Sequence, residues 1–292
     1  QLYFKSDALG AAYEIVNLLD LGDFVGATGT VFKTRTGEVT IAVEAFQVLA
    51  KGLRTPPVVK EERTDDGAVL HDEFADPEKR YRKRYLDMLV NAEAKERIRT
   101  RARVIAAVRS LLHDRGYVEI ETPILQPLYG GANARPFVTH HHVLDMDLYL
   151  RIADELYLKR LLVAGFEKVF EIGKDFRNEG IDRTHYPEFT MLEAYEAFGD
   201  YNTMMTLAQD IILAAASQTS ASYETAYAGR QIDLTPPWPR VSMTRELSTR
   251  LGVDVLNCDL ADLTRKGLEA WESAAAAAKA SKPYRGKSAR SQ

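Results

Sequence analysis

Between Ala92 and Arg115, the apolar residues Ile98, Ile105, Val108 and Leu112 recur on one face at three- to seven-residue steps, with arginines elsewhere. That spacing predicts one long amphipathic helix, and Gly116 marks its stop. Tyr117–Thr122 then alternates, Val118 and Ile120 on one side and Glu119 and Glu121 on the other, as a strand closed by Pro123. Strands are predicted again over Asp147–Ile152, Lys168–Arg177 and Pro187–Phe198. A helix over Asp154–Gly165 falls between the first two, and a polar loop, Asn178–Tyr186, joins the last two. Asp200–Gln218 reads as a second amphipathic helix, with Met204, Leu207, Ile211 and Ala215 on its inner face.

The first 56 residues have a different rhythm. Leu2-Tyr3-Phe4 is a short apolar run, Phe24–Phe32 and Val39–Val48 read as strands, and Thr34–Glu38 with Gly37 is a hairpin connection. Val39, Ile41 and Val43 alternate with Thr40, Ala42 and Glu44, the mark of a half-buried strand, and Ala8–Leu19 is read as a helix ended by Gly22. Strand, helix, strand, hairpin and strand make the second half of a small five-stranded barrel. Residues 57–88 have linker composition, with Tyr81 and Tyr85-Leu86 expected to dock the far end. Residues 89–272 form the main body, and the alanine- and lysine-rich stretch 273–292 is expected to be a frayed helix followed by disorder. Long strands with few intervening helices give an α+β class, and no internal repeat is found.

Composition narrows the function classes. The chain has 292 residues, 46% hydrophobic and 27% charged, with a net charge of −4 and one cysteine, Cys258. An internal disulfide or a cysteine-rich metal site is excluded, and a reducing, cytoplasmic setting follows from that cysteine usage. No apolar run approaches the roughly 18 residues that span a bilayer, so no membrane partner is expected. Charge is unevenly spread: Glu78–Arg115 holds twelve Lys or Arg against five acids, a stretch suited either to a phosphate backbone or to a solvated helix face.

Candidate chemistry concentrates in two places. His140-His141-His142 has no zinc-spaced partner and is read as a structural strand edge. Gly130-Gly131 marks a tight turn or a close approach of backbone to a ligand. No P-loop, GxGxxG or GxSxG motif is present. If Lys168–Arg177 and Pro187–Phe198 are hairpin partners, parity puts Arg177 and Glu179 on the face that carries Phe189, Met191, Glu193 and Tyr195. An arginine, two carboxylates and two aromatic rings are a poor core and a good ligand surface, because guanidinium grips phosphate and carboxylate receives ammonium.

Phe176-Arg177-Asn178-Glu179-Gly180-Ile181 followed by Pro187-Glu188-Phe189-Thr190-Met191-Leu192-Glu193 resembles motif 2 of the class II aminoacyl-tRNA synthetases, in its lysine-specific form. Gly130-Gly131-Ala132-Asn133-Ala134-Arg135-Pro136-Phe137 and Leu144–Ala153 resemble the segment between motifs 1 and 2 of the lysyl-tRNA synthetases. Ala92–Pro123 is similar to motif 1, and residues 1–56 to the last part of an anticodon-binding OB-fold. The resemblance implies an antiparallel class II sheet flanked by helices, preceded by a partial β-barrel (OB-fold). It implies lysine, ATP and tRNA(Lys) as substrates, Mg²⁺ as cofactor, and a homodimer whose interface includes Pro123.

By the same resemblance Arg177 holds the ATP α-phosphate and the lysine carboxylate, and is the catalytic residue; Glu179 and His185 contact adenine and the β/γ-phosphates, and Phe189 stacks on adenine. Glu155 and Glu193 bracket the lysine ε-ammonium beside Tyr195, while the turn at Gly131 and Ala132 receives the α-amino group. The implied reaction is adenylation of lysine by in-line attack on the α-phosphorus, then transfer to tRNA. The likeness fades after about Trp271. Motif 3 and the acidic Mg²⁺ ligands that precede it are not recognised, and Tyr186 stands where the family usually has asparagine. The chain is therefore expected to be incomplete and, by itself, poorly active or inactive. The rival expectation is a non-catalytic tRNA-binding or synthetase-dimerising remnant.

Overall fold

A computed structural model describes residues 1–57, 60–64, 67–71, 74–182, 184–220 and 222–280, and divides the chain into two compact units, 1–219 and 220–292. The first unit opens on β1 (Leu2–Tyr3), the short helix α1 (Ser6–Leu9) and a 3₁₀ turn over Gly10–Leu18, where the sequence predicts one α-helix. Gly10, with φ of 54°, breaks the α-helical path between them. β2 (Phe24–Lys33) and β3 (Val39–Ala50) pair antiparallel across the expected hairpin, and β1 adds parallel to β3, giving the order β1-β3-β2. No closed barrel is found among the described residues. Val43 is buried as predicted, but Thr40 is buried in place of Val39, because Gln1 crosses there and accepts a hydrogen bond from the Thr40 hydroxyl (3.2 Å).

The stretch read as linker is structured. β4 (Lys60–Thr64) and β5 (Gly67–His71) form an antiparallel hairpin, followed by α2 (Pro77–Arg82) and α3 (Arg84–Val90). Asp76 caps α2, accepting from the Lys79 N–H with Pro77 at the first helical position. Tyr81 and Tyr85 stay exposed; Asp87 anchors the segment instead, fully buried between Arg80 (2.7 Å), Arg84 (2.5 Å) and Asn91 (2.7 Å). Burial opposes its charge, yet those hydrogen bonds prevail and hold the carboxyl below the usual range.

α4 (Ala92–Asp114) follows, and Gly116, with φ of 82°, turns the chain into β6 (Val118–Glu119). Val108 and Leu112 of α4 are buried, whereas Ile98 is exposed. Its arginines are largely committed to local pairs, Arg97 with Glu93 (3.2 Å), Arg103 with Glu96 (2.9 Å) and Arg109 with Glu119 (2.9 Å). The predicted strand over Tyr117–Thr122 shrinks to two residues, and it is Tyr117 that is buried while Val118 is exposed. The Tyr117 hydroxyl sets this orientation by donating to Glu196 (2.6 Å).

β7 (Leu125–Gln126), β8 (Val138–His141) and β9 (Met146–Leu150) form a small sheet in the order β7-β9-β8, with His140 and His141 on the edge strand and His142 in the turn that follows. α5 (Glu155–Val163) leads to β10 (Lys168–Phe176) and β11 (Glu188–Glu196), a nine-pair antiparallel hairpin that β6 extends in parallel on the β10 side. α6 (Tyr201–Ala216) starts at an Asp200 capping box. Phe170, Ile172, Leu192 and Ala194 on one hairpin face pack against Val108, Leu112, Met204, Leu207, Ile211 and Ala215 of α4 and α6. The core thus consumes one face and leaves the other to polar residues.

The second unit holds the hairpin β12 (Glu224–Tyr227) and β13 (Arg230–Asp233), then α7 (Met243–Leu251) and α8 (Leu260–Ala280). The expected frayed helix at the tail is the end of α8; the expectation of disorder beyond it falls on residues 281–292, outside the described residues. No helix among the described residues is long and apolar enough to cross a membrane.

Candidate active site

The hairpin register decides what the open face displays. Glu171 pairs with Glu193, Gly173 with Met191 and Asp175 with Phe189, and the N–H of Arg177 closes the ladder on the Pro187 carbonyl (2.8 Å). Side chains two residues apart share a face. Glu171, Asp175, Arg177, Phe189, Met191, Glu193 and Tyr195 therefore line one surface, as parity predicts for the last five.

Two clusters occupy that surface. In the first, the Arg177 guanidinium lies over the Phe189 ring at 5.1 Å from its centroid and Nε donates to the Ile152 carbonyl (3.4 Å). Arg177, Glu179, His185 and Phe189 line a cavity of about 510 Å³ with Asp182 and Tyr186. Asp182 organises its rim, accepting from the N–H groups of Thr184 and His185 (2.7 and 2.8 Å) and lying 2.8 Å from His185 Nδ1. These bonds hold the Asp182 carboxyl well below the usual range.

In the second cluster, Tyr195 donates to Glu193 (2.8 Å), and the Asp154 backbone also favours the charge on that carboxylate. Burial nonetheless wins and pushes Glu193 above the ordinary carboxylate value, and burial with the Glu193 bond pushes the Tyr195 hydroxyl well up. Glu155, the first residue of α5, contributes a further negative field at both groups and meets Lys159 Nζ at 2.5 Å. That ammonium also stands 5.8 Å from the Tyr195 ring centroid, so a cation already sits where acid and ring converge. Gly131 lies against this corner with φ of 86°, and a Cβ there would stand 3.0 Å from the Glu155 Cβ. Ala132 follows in the same bend and is half-buried. Glu155 and Glu193 do not line the Arg177 cavity; the two clusters adjoin along the hairpin rather than merging. Pro123 lies apart and exposed, its carbonyl accepting from Gln126 Nε2 (3.0 Å).

Between the clusters lies a group that sequence reasoning missed. Arg151, 1% exposed, reaches Glu171 (2.6 Å), Asp154 (2.9 Å) and Asp175 (3.3 Å) and donates to the Thr122 hydroxyl (3.0 Å). It lies across Gly173, where a Cβ would come within 2.0 Å of its Nη2. The alternation Glu171, Gly173, Asp175, Arg177 was the available signal, a polar face with one residue kept bare.

The open face of an antiparallel hairpin backed by two helices thus carries an arginine, a stacked phenylalanine and paired acids. Residues 76–275 match the family of class II tRNA synthetases (D, K and N), and the chain belongs to that family. Over 255 residues, 87% of this chain, it is 49% identical to the lysine–tRNA ligase of Pelotomaculum thermopropionicum and 50% identical to that of Syntrophomonas wolfei. The lysine–tRNA ligase of a Thermoanaerobacter species is 48% identical over the same length. The matched region is 48%, 50% and 49% of those three proteins, so the chain spans about half the length of the curated relatives it matches.

Proposed function

We propose that this chain carries the lysine- and ATP-binding surface of a lysine–tRNA ligase, which activates lysine to lysyl-adenylate and passes it to tRNA(Lys). The observation that carries the reading is the open face of the β10–β11 hairpin, with Arg177 over Phe189 at one end and Glu193, Tyr195 and Glu155 at the other. Lysine binds with its ε-ammonium between Glu155 and Glu193 and its α-amino group at the Gly131–Ala132 bend. Its carboxylate is thereby directed toward Arg177. Adenine stacks on Phe189, Arg177 neutralises the α-phosphate, and Glu179 and His185 contact adenine and the outer phosphates. The lysine carboxylate attacks the α-phosphorus in line and pyrophosphate departs, a reaction promoted by positioning and charge neutralisation rather than by a protein nucleophile.

The family works with ATP and Mg²⁺. Among the described residues no group of three or more His, Cys, Asp or Glu is arranged to hold a metal ion. The reading extends to residues 1–56 as part of an anticodon-binding OB-fold, to a homodimer formed through α4, β6 and Pro123, and to a cytoplasmic location.

Titration calorimetry of lysine into the chain tests the central claim. Lysine is expected to bind, aspartate and asparagine not to, and Glu193→Gln to weaken lysine by at least about 100-fold, since breaking a buried charge pair costs about 3–5 kcal/mol. Equal affinity for asparagine, or an unchanged affinity in E193Q, refutes it.

A further inference from the structure

Asp154 and Asp175 are fully buried, and none of their four carboxyl oxygens accepts a hydrogen bond from a nitrogen or hydroxyl donor. The Arg151 guanidinium stands beside them, Nε 2.9 Å from Asp154 and 3.3 Å from Asp175, but none of its hydrogen bonds reaches either aspartate. The single Nε–H is donated to the Lys174 carbonyl (2.9 Å), and Nη1 serves Glu171 (2.6 Å), the Thr122 hydroxyl (3.0 Å) and the Thr122 carbonyl (3.2 Å). Three carboxylates around one guanidinium would leave two uncompensated negative charges away from water, which is very costly. A proton placed between the two aspartates removes one of those charges and supplies the missing donor.

We propose that Asp154 and Asp175 share one proton, the Asp154 O–H donating to the Asp175 carboxylate, and that this bond positions the lysine-binding carboxylates of Glu155 and Glu193 relative to Arg177. The positioning role rests on the lysine and ATP reading above; the shared proton does not. Asp154 immediately precedes Glu155 at the start of α5, and its backbone favours the charge on Glu193. Asp175 lies two residues before Arg177 on the same hairpin face and feels its charge. One hydrogen bond thus ties the start of α5 to the strand bearing the arginine. The charged groups around the pair are Arg151 from the β9–α5 connection, Glu171 and Arg177 from β10 and its end, Glu193 from β11, and Glu155 from α5.

Titration follows from the burial. Burial first, then the Asp175 charge, push Asp154 up to about 8, and burial pushes Asp175 up as well. An unfolded aspartate loses its proton near the ordinary value, so between that value and about 8 folding takes up a proton. The folding equilibrium therefore falls by about tenfold per pH unit as pH rises through that window and levels off above it. Asp154→Asn keeps a donor toward Asp175 but does not titrate there, and removes that slope.

The test uses the full chain in three measurements. Infrared difference spectra at pH 7 are expected to show a protonated-carboxyl C=O band in the wild type that Asp154→Asn lacks and that fades above pH 8. Denaturation across pH is expected to show the wild-type slope and a flatter profile for D154N. Lysine affinity at pH 7 is expected to stay within threefold of wild type in D154N and to weaken tenfold or more in Asp154→Ala, which has no donor to offer. Absence of the band together with parallel pH profiles overturns the shared proton, and equal lysine affinity in D154A and D154N overturns the positioning role. A chain that binds no lysine at any pH refutes the functional reading and the positioning with it, while the band and the pH slope still judge the proton.

Discussion

Gly173→Ala adds one methyl group at the most crowded point of the polar face. The new Cβ would stand 2.0 Å from Arg151 Nη2, 3.0 Å from Glu171 Oε1 and 3.2 Å from Arg151 Cζ. A guanidinium is the far end of a flexible side chain and normally swings aside cheaply. Arg151 cannot: it is 1% exposed and fixed by Glu171, Asp154, Asp175, Thr122 and the Lys174 carbonyl. Overpacking alone costs about 1–3 kcal/mol. Pushing the guanidinium off its carboxylates raises the total toward the roughly 3–5 kcal/mol typical of a broken buried ion pair. For a unit of this size, that corresponds to a fall in Tm of about 6–20 °C. Thermal unfolding is best followed by far-ultraviolet circular dichroism or tyrosine signal, since both tryptophans, Trp238 and Trp271, lie in the 220–292 unit. Gly180→Ala is the control, with nothing within 4 Å of the added carbon and no left-handed φ, and is expected to stay within about 0.5 kcal/mol of wild type. A G173A protein as stable as that control would refute the account of Arg151 as a fixed hub.

Gly131→Ala combines a left-handed φ of 86° with a Cβ 3.0 Å from the Glu155 Cβ and 3.1 Å from the Ala153 Cβ. The expected result is a stability loss of about 1–2 kcal/mol and a lysine affinity at least tenfold weaker by calorimetry. Asp87→Ala removes the buried partner of Arg80 and Arg84, whose own side chains are 28% and 40% exposed and can turn to water. The expected loss is therefore about 1–3 kcal/mol, read as faster hydrogen exchange across α2 and α3 with β10 and β11 unchanged.

What the sequence disclosed was whatever repeats with a period. The apolar spacing of α6 names its buried face, and the alternation along Lys168–Arg177 and Pro187–Phe198 places Arg177, Phe189, Glu193 and Tyr195 on one surface. The family motifs supplied Glu155 and Gly131, which no period connects to that surface and which only the path of α5 brings there. The Arg151 network stayed hidden because its members are ordinary charged residues scattered over 25 positions, and a buried acid looks like a solvated one until a partner is known. The hairpin of β12 and β13 was missed because its turn is Ala228-Gly229 rather than an asparagine–glycine pair, and because its strands are exposed and carry no apolar alternation. The helices within the stretch read as linker went unread for a different reason. Asp76-Pro77 is a legible helix start, but charge-rich composition outweighed it.

The division of labour between the two faces of the β10–β11 hairpin has a consequence for how this chain tolerates change in length. Core residues and ligand-facing residues alternate one by one, so inserting or deleting a single residue within either strand would exchange Leu192 and Ala194 with Glu193 and Tyr195, burying acid and exposing apolar surface at once. A change of length between these strands would have to fall in the connection between Arg177 and Pro187, where the backbone leaves the ladder. Such variation would reshape the rim of the cavity while the pairing behind it stays fixed.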